Sequence, residues 1–192
     1  MRTIISNANQ RVGIIKRTFH CLNKNNFLIL FKSLVRPILE YCPQIWSPIF
    51  RKDILEIEKV QRRATKLVAV IKDLPYEQRL RELKLPTLSY RRKRSDIIEV
   101  FKIMKGFDKI DMNQFFTLNK REGSRGHTLK LVKPRAISKL RQHSFSNRII
   151  NIWNSLPQNV IDAESINSFK NRLEKAWADD PGKFDPLFIT CY

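Results

Sequence analysis

Apolar residues recur at three- and four-residue steps through the first hundred positions, a period that builds helices with one buried face rather than strands. Ile5, Ala8, Val12, Ile15, Phe19 and Leu22 share one such face. After the polar break Asn23 to Asn26, a second run follows: Phe27, Leu30, Phe31, Leu34, Val35, Ile38 and Leu39. Pro37 lies inside this run. Proline has no N–H and crowds the carbonyl four residues back, so a kink or a locally adjusted turn is expected near Leu34 to Arg36. Pro43, Trp46 and Pro48 then form a rigid aromatic connection. Asp53, with Glu56 three residues on, has the spacing of a capping box. The helix behind it turns Ile54, Ile57, Val60, Ala64, Leu67, Val68 and Ile71 inward. A short helix is predicted from Tyr76 to Leu83, and Thr87 caps another that carries Leu88, Ile97, Val100, Phe101 and Met104.

From Lys105 the texture changes. Gly106, a turn at Asn113 and the Gly123-Ser124-Arg125-Gly126 stretch are breaker signals. Thr128 to Lys133 alternates polar and apolar residues, which suits a short strand or extended segment. Phe145 to Trp153 suits either a strand or a helix. Ser165 caps a final amphipathic helix through Ile166, Phe169, Leu173, Ala176 and Trp177. The expected class is mainly α: a helical domain over 1–105, a smaller mixed α/β or irregular extension over 106–178, and a loose tail over 179–192.

The 192 residues hold 37 Lys+Arg against 18 Asp+Glu, a net charge of +19, and 42% of them are apolar. That apolar fraction is enough for a packed core. Residues 162–192 carry 4 basic and 6 acidic residues, so the whole excess sits in the preceding 161. A field of that strength self-repels unless it meets a polyanion, and nucleic acid is the commonest. No apolar run approaches the roughly 18 residues of a bilayer span, and no secretory leader is readable. Cys21, Cys42 and Cys191 are few and widely spaced, which fits a reducing, intracellular setting.

Catalysis requires titratable groups that converge, and few are on offer. The three histidines, His20, His127 and His143, show no zinc-ligand spacing, and CxxC is absent. No phosphate-cradling glycine motif or nucleophile elbow occurs. Two-metal nucleotidyl transfer needs a framed pair of carboxylates; Asp179-Asp180 is the only adjacent acidic pair and stands before Pro181 in a tail. No catalytic residue, metal ligand or cofactor is assigned. The basic runs say more. Lys59, Arg62, Arg63 and Lys66 fall at steps that present them together from one helix. Arg91, Arg92 and Arg94 belong to an unbroken basic run that cannot face one way, although Arg91 and Arg94 share a side. Arg125 and its neighbouring backbone N–H groups can reach a phosphate from a loop.

An ordered series of strings resembles a known family: Ala8-Asn9-Gln10-Arg11-Val12-Gly13, then Leu34-Val35-Arg36-Pro37-Ile38-Leu39-Glu40-Tyr41-Cys42, Gln44-Ile45-Trp46-Ser47-Pro48, Ile57-Glu58-Lys59-Val60-Gln61-Arg62-Arg63-Ala64, Leu85-Pro86-Thr87-Leu88-Ser89-Tyr90-Arg91-Arg92, Arg125-Gly126-His127, Phe145-Ser146-Asn147-Arg148 and Trp153-Asn154-Ser155-Leu156-Pro157. From about Asn7 to Trp177 the chain looks like the region after the polymerase core of jockey-like LINE (non-LTR retrotransposon) reverse transcriptases. The resemblance implies a thumb-like helical bundle and a C-terminal extension, without the aspartates that catalyse RNA-directed DNA synthesis. It implies backbone contact with template–primer, an RNA–DNA or other duplex, by Lys59, Arg62, Arg63 and Lys66, with Arg91, Arg92 and Arg94 as further contacts. Trp46, Pro48, Trp153, Leu156 and Pro157 are expected to be structural. The expectation is a non-enzymatic nucleic-acid-binding fragment of nuclear or cytoplasmic ribonucleoprotein. The alternatives are an interaction module that docks on an intact polymerase or on itself, and a retroelement remnant without function.

Overall fold

A computed structural model describes residues 1–119 and 126–188. The chain is mainly α, with 61% of residues helical and no sheet among the described residues. It divides into two compact units, one built from residues 1–92 with the stretch from Pro181, the other from residues 93–180. The division therefore falls inside a helix, at Arg92/Lys93, and not after Lys105 as the sequence texture suggests.

In the first unit, α1 (Arg2–Thr18) buries Ala8, Val12 and Ile15. α2 (Lys24–Leu30) is capped by the Asn23 side chain, which accepts the Asn26 N–H at 2.8 Å. A π-helical turn over Phe31–Val35 then leads into α3 (Arg36–Glu40). Its cause is legible. Pro37 cannot donate to the carbonyl of Ser33, and the wider turn, closed by Arg36 N–H to Phe31 O, absorbs the missing bond. It also aligns the core. Phe27, Phe31, Val35 and Leu39 are all fully buried at four-residue steps. An α-helix overshoots one turn by about 40° over four residues; the π turn undershoots and brings the row back onto one line.

α4 (Arg51–Thr65) starts earlier than the Asp53 cap predicted. Phe50 is the cap residue and Asp53 lies in the first turn, where its charge still suits the positive end of the helix. Ile57, Val60 and Ala64 face the core. α5 (Tyr76–Leu83) ends with Lys84 in the left-handed region at φ 50°, and the Leu85 N–H returns to Leu80 O at 2.9 Å. Thr87 caps α6 (Leu88–Met104) as expected, its hydroxyl accepting the Tyr90 N–H. The same hydroxyl donates to Gly182 O at 2.7 Å, and the Thr87 N–H donates to Lys183 O. Residues 182–184 of the supposed loose tail are thus docked within the first unit, with Phe184 packed against its core.

The second unit collects Ile97, Val100 and Phe101 of α6 around Trp153 and Phe169. Phe101 and Phe169 stack with ring centroids 4.0 Å apart. Its other helices are α7 (Lys139–Gln142), α8 (Phe145–Arg148), α9 (Ile150–Asn154), α10 (Gln158–Ile161) and α11 (Ile166–Ala176). α11 is capped by Ser165 as the sequence predicts. The alternating segment after Thr128 finds one bridge, Leu118 to Leu131, instead of a strand partner. Side chains meet several of its other backbone groups. Asn154 both accepts from Leu131 N–H and donates to Leu131 O, each at 2.8 Å, and Gln158 accepts the Thr128 N–H.

Candidate nucleic-acid interface

The outer side of α4 carries Lys59, Arg62, Arg63 and, one residue past its end, Lys66, all exposed. The helix is amphipathic with Ile57, Val60 and Ala64 inward, so its period places the cations outward together. Lys59 pairs with Glu56 at 2.5 Å, and Arg63 Nη1 donates to Asn9 Oδ1 at 2.7 Å. Such exposed contacts, one an ion pair and one to a neutral amide, are weak and give way readily to an anion. The Arg62 guanidinium lies over the Tyr76 ring, 4.9 Å from its centroid.

The second basic run behaves differently, and the expectation that it faces a duplex is revised. Arg91 is half-buried and bound to the Glu40 carboxylate through Nε and Nη2. Arg92 is 2% exposed, with its guanidinium 5.5 Å from the Trp46 ring and Nη2 donating to Leu39 O. Arg94 lies 3.4 Å from Glu174. Arg91 and Arg92 are fastened to the first unit by a carboxylate, a carbonyl and an indole, whereas the Arg94–Glu174 pair is partly exposed and correspondingly weak. Arg125 lies outside the described residues.

Beside the outer face of α4 is an open groove of about 600 Å³. Arg62 and Lys66 line it, joined by Lys72 and Arg79, with Asp73, Glu77 and Tyr76 between them. Lys72 and Arg79 escaped the sequence reading because they belong to no basic run. The available signal was Arg79 three residues after Tyr76, the spacing that puts an arginine over an aromatic on one helix face; the observed distance is 5.5 Å.

Below Tyr76 lies Glu58, 3% exposed. Its Oε1 accepts the Tyr76 hydroxyl at 2.6 Å and its Oε2 accepts the Leu88 N–H at 2.9 Å. Burial pushes the Glu58 carboxyl above the ordinary carboxylate range despite these donors and the charges of Arg92 and Arg62. Burial, with the neighbouring Glu58 charge, also raises the Tyr76 phenol, so Tyr76 remains a donor. This cluster fixes the floor of the groove. It holds no nucleophile and base in reach of open solvent, and among the described residues no three His, Cys, Asp or Glu side chains gather as a metal site.

In the second unit, His127, Arg148 and Trp153 of these strings are packing residues. His127 Nε2 donates to Trp153 O at 2.9 Å, and Trp153 Nε1 donates to Leu129 O at 2.7 Å. Arg148 binds the buried Asp96 carboxylate at 2.8 Å. No helix among the described residues is long and apolar enough to cross a membrane. The chain matches no family model, no curated protein and no solved structure.

Proposed function

We propose that this chain binds nucleic acid by its phosphate backbone through the outer face of α4, and that it performs no chemistry of its own. The observation that carries the reading is the shared exposure of Lys59, Arg62, Arg63 and Lys66 on one helix and its end. Phosphate contact by arginine and lysine is sequence-independent and falls steeply with salt. The resemblance to the post-polymerase region of LINE reverse transcriptases agrees with it and supplies the partner, an RNA–DNA template–primer duplex.

The test is a titration of a fluorescent RNA–DNA duplex across salt, with primer extension assayed on the same preparation. Binding that collapses between low and physiological salt, with no extension, is expected. Absence of binding at low salt overturns the reading, and any extension overturns the claim that the chain is non-catalytic.

A second reading has its own observation. Tyr41, Ile45 and Phe50 are exposed on the connection between α3 and α4, Ile45 at 85%, and apolar side chains grouped on a loop suit a protein partner. Self-association that added salt does not relieve is its signature.

A further inference from the structure

We propose that the groove beside α4 is a seat for a phosphate monoester dianion, with Arg79 as its principal ligand. The seat shares Arg62 and Lys66 with the backbone-binding face but rests on Arg79 and Lys72, which that reading does not use.

Arg79 is the first ground. It is 2% exposed and lines the groove, yet its Nε and Nη1 have no hydrogen-bond partner among the described residues. A guanidinium is always charged and carries five donors in a planar fork. Burying it without a carboxylate is costly, and the Tyr76 ring beneath it relieves only part of that cost. Two oxygens of a phosphate fit the fork. Burial also weakens its hold on its proton relative to an exposed arginine, which an anion at its edge would reverse.

The charge balance identifies the ligand class. Arg62, Lys66, Lys72 and Arg79 stand against Asp73 and Glu77, an excess of two positive charges. A phosphate monoester carries about −1.5 to −2 near pH 7; a phosphodiester carries a single charge and leaves the groove unbalanced. The volume of about 600 Å³ exceeds that of a phosphate group alone and leaves room for the alcohol to which it is esterified. Two sources share this chemistry, a small free ester and the terminal phosphate of a nucleic-acid strand.

The experiment follows the Arg79 Nε–Hε resonance, assigned by its loss in Arg79→Met, while phenyl phosphate is added at constant ionic strength set by chloride. The same short oligonucleotide is then compared with a 5′-phosphate and with a 5′-hydroxyl. A saturable shift with phenyl phosphate is expected, along with preference for the phosphorylated strand. Lys72→Met, read by the same resonance, and Arg79→Met, read by calorimetry, are each expected to lose about tenfold in affinity for phenyl phosphate, the scale of one charge-assisted hydrogen bond. Lys59→Ala/Arg63→Ala, outside the groove, leaves that affinity unchanged while weakening duplex binding, so the two readings fail separately. If the 5′-phosphorylated strand binds more tightly than its 5′-hydroxyl counterpart, the source is a strand end; equal affinity of the two strands, with phenyl phosphate still saturating, assigns a free ester. An Arg79 resonance that phenyl phosphate moves no more than chloride does overturns the proposal. So does wild-type affinity for phenyl phosphate in Lys72→Met, which decides the matter should Arg79→Met fail to fold.

Discussion

The Tyr76 hydroxyl donates to Glu58 Oε1 at 2.6 Å across 18 residues of sequence, and both side chains are buried. With Leu88 N–H on the other carboxylate oxygen, one acid ties α4 to the start of α5 and the start of α6. The groove that the basic face borders is held at this point. Its stability has a definite pH dependence. Burial raises the folded carboxyl above its ordinary 4.5, so between 4.5 and the raised value the folded state binds the extra proton. Stability from this group then falls as pH rises through that window. Chemical denaturation from pH 4.5 to 8 is expected to show the native chain losing stability relative to Glu58→Gln as pH rises. A difference that is flat with pH contradicts the assignment.

The buried Asp96–Arg148 pair is expected to be costly to break. Asp96 is fully buried and Arg148 is 3% exposed. Asp96→Asn leaves a guanidinium without its charge partner, at about 3–5 kcal/mol. A double-mutant cycle with Arg148→Met, read by urea unfolding, should recover a large part of that loss. Strict additivity would mean that the two do not interact.

The two basic runs separate by what their removal does. Arg62→Ala/Arg63→Ala is expected to lower the slope of log K against log salt by about two, one for each phosphate contact, with little change in melting temperature. Arg92→Ala should do the reverse, since its guanidinium packs on Trp46 inside the fold. Duplex binding and thermal melting of the two variants check this together. A double variant with an unchanged slope would remove the α4 face from the interface.

His127 supplies an acid limit in the second unit. Burial, with the charge of Lys130, lowers it below the ordinary 6.5 despite the Trp153 carbonyl that accepts from Nε2. The unfolded chain therefore takes up a proton near 6.5 that the folded one resists. Stability from this group is full above 6.5 and is lost as pH falls through the lowered value. His127→Asn retains a donor and should flatten the stability profile below pH 6.5. Nuclear magnetic resonance titration of the imidazole gives the direction independently.

Apolar period and local chemistry were sufficient for the helices from Tyr76 to Leu83 and from Leu88 onward, and for the caps at Thr87 and Ser165. They were also sufficient for the disturbance before Pro37. These depend on neighbours within a turn, and the residues that set them are adjacent in the chain. The outward cations of α4 were legible for the same reason: a buried Ile57, Val60 and Ala64 forces Lys59, Arg62 and Arg63 to the other side.

Long-range partners decided the rest. Nothing adjacent to Arg92 announces Trp46, or adjacent to Thr87 the carbonyls of Gly182 and Lys183, so an arginine expected on a duplex became part of a core and residues 182–184 of a tail expected to be loose became docked. Segment 145–153, which by its sequence suits either a strand or a helix, is helical over Phe145–Arg148 and from Ile150, and Trp153 and Asn154 project from it to meet backbone groups of Leu129 and Leu131. Arg79 is the clearest case. Its sequence context is an ordinary charged helix, and only packing around Tyr76 buries it without a hydrogen-bonding partner for Nε or Nη1 among the described residues. Local order follows from backbone sterics and periodicity; which charges remain available to a ligand depends on what the folded chain brings against them.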